Sequence, residues 1–368
     1  MTVNRLSLSS GLPWLLAFLM IFVSRAGADG QRVPTVTESV SVDLVEVEAH
    51  VLDRWGKPIP GLQKEDFRVQ VDGEPVAIDS TSWKGVALSP PANGAANEDG
   101  VPVPNKATDP SAPGRLVILL FDWEIAGQKQ AGFVRMVRQA TSFIENLSPS
   151  DRVAILRFAA RLWLVQDFTS RKDLLRSALS RLLLNSEPAP NEDPGPRLTE
   201  TLSPSMRSSA TSLEKALLRL AESVQTFPAA KSLLLFGWGL GRWRPVWDSI
   251  NTDDESAAAA GYLHFSRTFS EAKRLLQASH TTVFSLDISD SGYHPLQGGL
   301  EKISFETGGF YVPTSSFPEL AMTMVARAIT GYYEIVFHKP QRRKGSHEIR
   351  VTVLGVKAAV LHRSFYED

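Results

Sequence analysis

The chain contains no cysteine. That excludes disulfide scaffolds, cysteine nucleophiles, thiolate zinc sites and iron–sulfur clusters. Neither sign of charge is in excess: 39 Lys and Arg stand against 40 Asp and Glu, for a formal net charge of −1. The whole-chain electrostatic footprint expected for nucleic-acid binding is therefore missing. Catalytic signatures are missing too. There is no H-E-x-x-H, G-x-S-x-G or P-loop, and the seven histidines lack ligand spacing on any one helix. Gly237, Gly239 and Gly241 follow the start of a dinucleotide loop, but Arg242 takes the place of its third glycine. Long apolar runs are scarce: residues 12–23 form one, and it falls short of the ~20 residues that a bilayer-spanning helix needs. What is present is ordinary globular composition, 43% hydrophobic and 21% charged over 368 residues. That suffices for about two domains with cores of their own.

The N-terminus reads as an export signal. Arg5 precedes the apolar run, and Ala26-Gly27-Ala28 follows it with the small-x-small pattern that signal peptidase cuts. This gives a signal peptide over 1–28; an uncut membrane anchor is the alternative. With the signal removed no further span is expected, which places the mature chain in the periplasm or outside the cell.

Beyond the signal the pattern runs β, then α/β, then β. Residues 35–84 form a β module, with a loosely alternating run from Val40 to Val51, a second at Phe67 to Val71, and the hairpin signal Asp72-Gly73. Residues 85–114, rich in Pro, Ala, Gly and Asn, form a linker. From Arg115 strands and helices alternate up to residue 330. Leu116 to Phe121, Val153 to Phe158, Leu233 to Phe236 and Val283 to Leu286 are continuous apolar runs, as for strands buried on both faces. Helical stripes separate them, including Phe133, Met136, Ala140 and Ile144, a stripe from Leu213 to Val224, and one over 256–278. A proline-rich insert at roughly 185–209 reads as flexible. The pattern implies an α/β fold: a doubly wound, mostly parallel sheet covered on both faces. Residues 331–368 return to β. Neither β segment is large enough to fold alone, so the two are expected to pair into one small β-sandwich with the α/β domain inserted between them.

Four stretches carry a family resemblance. Gly56-Lys57-Pro58-Ile59-Pro60-Gly61-Leu62 with Glu65-Asp66-Phe67 and Asp72-Gly73 is the first. Leu147-Ser148-Pro149-Ser150-Asp151-Arg152-Val153-Ala154 with Asp167-Phe168-Thr169 is the second. Phe284-Ser285-Leu286-Asp287 with Glu306-Thr307-Gly308-Gly309 is the third, and Tyr332-Tyr333 with the last strands is the fourth. In order and spacing they resemble a von Willebrand factor type A domain with flanking β modules, of the VWFA-related kind exported by Acidobacteria-like bacteria. The resemblance covers nearly all of the chain after the signal.

What the resemblance implies is a divalent-ion site at the carboxyl ends of the strands, where ligands of open α/β sheets bind. The family places Asp-x-Ser-x-Ser after the first strand, a Thr before a later helix and an Asp after the central strand. Here Asp122 matches the first acid, Glu124 and Ala126 replace the two serines, Thr211 matches the threonine, and Gly237-Trp238 replaces the last acid. Asp122, Glu124 and Thr211 are thus the metal candidates, with Mg2+ the ion, in a degenerate site where no resident cofactor is expected. Each has a plain alternative: Asp122 as a turn or cap, and Thr211 as a helix cap in a box with Glu214. Asp287 ends another strand on the same edge, as ligand or as turn. Trp123, Trp238, Trp243 and Trp247 crowd this edge, either to recognise a partner or to fill space. The partner-binding candidates are therefore Asp122, Trp123, Glu124, Trp238, Trp243 and Asp287. The resulting expectation is an exported, non-enzymatic adhesion module for a protein partner. The alternative is a hydrolase drawing a general base from the same acids. Arg342-Arg343-Lys344 is a basic run at a hairpin tip, read as solvated.

Overall fold

Seven consecutive side chains, Leu116 to Asp122, are buried in the strand they form, and helices must therefore cover both faces of the sheet. The structure is a computed structural model. It describes residues 44–85, 114–123, 126–182, 193, 195–227, 230–245, 261–290 and 293–367. The expected signal peptide and nearly all of the expected linker lie outside them.

In chain order the N-terminal β segment contains β1 (Leu44–Leu52), β2 (Phe67–Val71), β3 (Glu74–Val76) and β4 (Ile78–Gly85). The α/β segment begins with β5 (Leu116–Asp122), α1 (Ala126–Glu145), β6 (Arg152–Phe158), β7 (Leu162–Thr169) and α2 (Lys172–Ser180). It continues through α3 (Leu198–Thr201), α4 (Pro204–Ser209), α5 (Leu213–Val224) and β8 (Lys231–Gly237). Then come β9 (Arg242–Pro245), β10 (Gly261–His264), α6 (Arg267–Ala278), β11 (Thr281–Asp287), α7 (Gln297–Glu306), β12 (Tyr311–Pro313) and α8 (Pro318–Ala328). The chain closes with β13 (Gly331–His338), β14 (Ser346–Val353), β15 (Ala359–His362) and β16 (Phe365–Glu367).

The central sheet has six strands in the order β12-β11-β8-β5-β6-β7. Every neighbouring pair is parallel except β6 with β7. The fold is thus mixed α/β around a mostly parallel sheet. From β5 the chain winds out through β6 to β7, then crosses back to β8 and winds the other way. The order reverses between β5 and β8. The stripe Ala216, Leu217, Leu220 and Val224 of α5 packs on one face of the sheet, together with Phe269 and Leu276 of α6 and Leu300 and Ile303 of α7. Helices α1, α2 and α8 cover the other through Phe133, Met136, Leu175, Leu179 and Val325. Each large apolar side chain buried this way contributes roughly 1.5–3 kcal/mol.

The family-like motifs act here as clamps. Asp151 accepts from the Arg115 backbone N–H, from its Nε at 2.8 Å and from its guanidinium terminus, and also from the Ser148 N–H. It ties the starts of β5 and β6 together. Asp167 accepts the Phe168, Leu198 and Thr199 N–H groups and the Thr199 hydroxyl. It thereby fixes α3 in the segment expected to be flexible; α4 follows, and buried Leu198 and Leu202 anchor the pair. Gly309 allows close backbone approach: a Cβ there would lie 1.9 Å from the Val283 carbonyl oxygen.

Strands β15-β1-β13-β4 and β16-β14-β2-β3 form two further sheets. Their facing side chains, among them Val47, Val51, Phe67, Val69, Ile335, Phe337 and Val351, share one core. The opposite face of β1 carries Glu46, Glu48 and His50, and Leu52 joins the α/β core. His50 Nδ1–H donates to the Ala328 carbonyl at 3.1 Å, and the ring lies edge-on to Phe284. Two local expectations are corrected. The helix foreseen over 256–278 is strand β10 followed by α6 within the described residues, with Ser266 as its cap accepting the Phe269 N–H. The cap of α5 is Ser212, which accepts the Lys215 N–H, and Glu214 pairs with Ser266, so the Thr211–Glu214 box does not form.

Burial holds the His50 imidazole below its ordinary value of 6.5. The unfolded chain therefore takes up this proton first as pH falls. Stability is fully present above about pH 6.5 and declines below it, by up to ~1.4 kcal/mol per pH unit. Urea unfolding at pH 7.5 and 5.5 tests this: His50→Gln, though less stable at neutral pH, shows a shallower pH slope than the parent. Equal slopes would exclude His50 as the source.

Candidate functional site

Reversal of strand order opens a crevice at the carboxyl ends of β5 and β8, because the connections leave these two ends in opposite directions. Asp122 and Trp123 lie at one lip, Gly237 and Trp238 at the other. The strand ends align in a row. Asp287 pairs with Gly237, Asp122 with Phe158, and Phe158 with Leu162. Gly237 stands beside Asp122: a Cβ on it would meet Asp122 Cβ, Leu235 and Leu300, each at 3.8 Å.

Asp122 is 4% exposed and Asp287 1%. Asp287 is committed to its surroundings. Its Oδ1 accepts the Ser289 N–H at 2.8 Å. Its Oδ2 accepts from His294 Nε2 at 2.8 Å and from the Tyr311 hydroxyl at 2.7 Å. Burial, reinforced by the Asp287 charge, pushes the Tyr311 phenol far above its usual range, so it remains a donor. The Asp287 carbonyl receives the Thr314 N–H and hydroxyl. His294 in turn tilts against Trp238, ring centroids 6.0 Å apart. His294 and Tyr311 were not among the sequence candidates; they come from a loop and a short strand, and only the folded sheet edge brings them to Asp287.

The tryptophans divide. Trp123 packs edge-on to Phe133 at 4.2 Å, and both Trp123 and Trp238 lean on the α/β core. Trp243 on β9 is 40% exposed. Its ring lies across Gly261 of β10, where a Cβ would come within 2.5 Å of it. Thr211 sits at the exposed start of α5, where its hydroxyl accepts from Lys215 Nζ at 3.2 Å. Glu124 and Trp247 lie outside the described residues.

A resident Mg2+ needs near-octahedral oxygen ligands. Ala126 and Gly237 carry no side-chain oxygen. Both Asp287 oxygens already accept hydrogen bonds, and an ammonium group approaches the Thr211 hydroxyl. The described residues of this rim do not fit the ion. A separate donor set, Glu46, Glu48 and His280, has ligand atoms within 4.8 Å of one another and is compatible with a divalent ion. It lies at the opposite end of the sheet, beside the start of β11, where His280 Nδ1 meets Glu48 at 3.0 Å.

No protein-family model matches the chain, and no curated protein matches it in sequence. Solved structures do. The von Willebrand factor type A protein from Catenulispora acidiphila is 11% identical with a TM-score of 0.38, over 70% of this chain and 66% of that one. The human COPII-coat protein Sec24c is 12% identical with a TM-score of 0.39, over 69% and 44%. Proximal thread matrix protein 1 from the mussel byssus, with a zinc-occupied MIDAS motif, is 13% identical with a TM-score of 0.38, over 59% and 47%. The chain spans less than two thirds of the length of each.

Asp287→Ala removes the acceptor of three donors and is expected to cost about 2–4 kcal/mol in denaturant unfolding. Gly237→Ala, which meets only ordinary contacts, stays within ~1 kcal/mol. A fully stable Asp287→Ala protein would mean that its carboxylate is not holding the rim together.

Proposed function

We propose that the chain is an exported, non-enzymatic binding module of von Willebrand factor A type that grips a protein partner at the strand-end rim. Its metal-ion-dependent adhesion site is degenerate. The observation that carries this reading is Gly237, which stands between Asp122 and Asp287 where the family pattern calls for an acid. Asp287 does not take over that duty, since its oxygens brace His294, Tyr311 and the backbone. A rim braced in this way presents fixed shape to a partner, with Asp122, Trp123, Trp238 and Trp243 around the crevice. Aromatic side chains suit that task because they bury large area at low entropy cost. The residue 1–28 pattern supports export to the periplasm or beyond, and among the described residues no helix is long and apolar enough to cross a membrane. The flanking β segments, sharing one core, serve in this reading as a small sandwich that carries the α/β domain.

Two measurements test it. Calorimetric titration with Mg2+ and Mn2+ is expected to give no binding that Asp122→Asn removes; ion binding abolished by that substitution would restore an intact adhesion site and overturn the degenerate one. Crosslinking capture from the native envelope is expected to fall at least ~10-fold with Asp122→Asn or Trp243→Ala, while thermal unfolding is unchanged. Undiminished capture would remove the rim from the reading.

A further inference from the structure

Side chains alternate along β1, and the row that does not enter the shared core of the flanking sheets carries Glu46 and Glu48. Strand β13 pairs with β1 and sets Glu334 directly across from Glu48. From the α/β segment His280 reaches the same place. It occupies the turn between α6 and β11, where its N–H donates to the Gln277 carbonyl and its carbonyl accepts the Lys231 N–H. Its φ of 51° lies in the left-handed region. These two backbone hydrogen bonds fix the direction in which the imidazole leaves the chain.

Three donor groups converge here. Ligand atoms of Glu46, Glu48 and His280 lie within 4.8 Å of one another, and His280 Nδ1 stands 3.0 Å from Glu48 Oε1. A tetrahedral zinc ion with bonds of about 2.0 Å holds its ligands about 3.3 Å apart, so small side-chain rotations complete the set. Two further features point to a cation. The Glu46 carboxyl also shares a side-chain hydrogen bond with that of Glu334, which Ser82 and Lys84 hold from β4. Two carboxyl groups in contact need a proton or a cation between them. A cavity of about 260 Å³ opens on Glu48 and His280, walled by Thr281, Thr307 and Arg363. It gives an ion a way in and room for water to complete its coordination. The Arg363 guanidinium donates to the backbone carbonyls of Glu46 and Gln277 and leaves the carboxylate oxygens free to coordinate. The imidazole selects the ion: Mg2+ and Ca2+ take oxygen ligands, whereas zinc takes imidazole with carboxylate.

We propose that Glu46, Glu48 and His280 form a zinc-binding site that pins the flanking β segment to the base of the α/β sheet. The imidazole binds through Nδ1, in the tautomer with its proton on Nε2. Glu48 and His280 are 232 positions apart in the chain, so an ion held by both acts as a long-range clasp. The site lies at the end of β11 opposite to Asp287 and does not depend on the rim reading.

The test is calorimetric titration of the full chain with Zn2+, which is expected to show one tightly bound equivalent. His280→Asn places a residue that tolerates the left-handed backbone, and Glu48→Gln keeps the side-chain shape. Each is expected to weaken Zn2+ at least ~10-fold. His338→Asn removes an exposed imidazole beside Asp79 and should leave Zn2+ binding unchanged, as should Asp122→Asn at the rim. Zn2+ should also raise the unfolding temperature of the parent and not that of His280→Asn, because an ion that binds the folded chain stabilises it. Absence of Zn2+ binding would overturn the proposal, as would binding undiminished in His280→Asn and Glu48→Gln, an equal loss in His338→Asn, or Mg2+ bound as tightly as Zn2+. The two readings fail separately. Capture that needs Asp122 with Zn2+ binding indifferent to His280 sinks the clasp alone; Zn2+ binding that needs His280 with capture indifferent to Asp122 sinks the rim alone.

Discussion

Strand β5 is buried on both faces and bordered by β8 on one side and β6 on the other. Such a strand has no free edge and no free face. Its contact with solvent is confined to its two ends. The reversal of winding between β5 and β8 then decides which end is open, because no crossover covers their carboxyl ends. The site is therefore set by connectivity before any particular side chain is considered. Phe121 and Phe236, one residue in from these ends and fully buried, stack 4.3 Å apart and 7° from parallel.

The same strand logic operates at the other end of the molecule. Residues alternate along β1, so Val45, Val47, Ala49 and Val51 enter the core shared by the two flanking sheets. Glu46, Glu48 and His50 are left on the face toward the start of the parallel sheet. That seam is polar. Burial and the neighbouring Glu334 raise the Glu46 carboxyl above its usual range. Burial lowers the Lys231 ammonium to about 8, against the attraction of Glu48. Arg363 donates to the Glu46 carbonyl at 2.5 Å, and its charge also feels Glu48 and Glu46. Acids of the flanking strands thus meet Lys231 from the α/β segment and Arg363 from the last β segment. An arrangement of this kind favours one register of attachment, since a slip of one residue in β1 would turn its acids into the shared core.

Much of the α/β fold was legible because burial on both faces leaves an unambiguous trace. Leu116 to Phe121, Leu233 to Phe236 and Val283 to Leu286 are continuous apolar runs, and each is a central strand. The stripe from Leu213 to Val224 is a helix for the complementary reason, since one face alone is apolar. Legibility fails where tertiary contacts decide. Thr211 and Ser212 are equally good caps in sequence, and the backbone chose Ser212. The segment at 185–209 looks flexible from its prolines, yet Asp167, distant in sequence, holds α3 in place. A helix is expected from residue 256, whereas Gly261 to His264 pair with β9, and the Trp243 ring leaves no room for a Cβ at position 261. Asp122 and Asp287 were visible as strand-end acids. The partners of Asp287 were not, because His294 and Tyr311 carry no local signal.

In the binding reading proposed above, a rim without a resident ion has a physical consequence for how a partner is held. An ion-centred site concentrates charge at one point and stays intact only while its ligands remain deprotonated. A rim braced by hydrogen bonds within the fold depends instead on fixed shape, and little on divalent-ion supply. The bracing of Asp287 by His294 and Tyr311 fits that demand. It removes one acid from competition for the partner's cationic groups and stiffens the edge against which the apolar contact would form. In the proposed reading, the absence of a side-chain oxygen at Gly237 and the bracing of the rim around it belong together in the way this sheet edge makes contact.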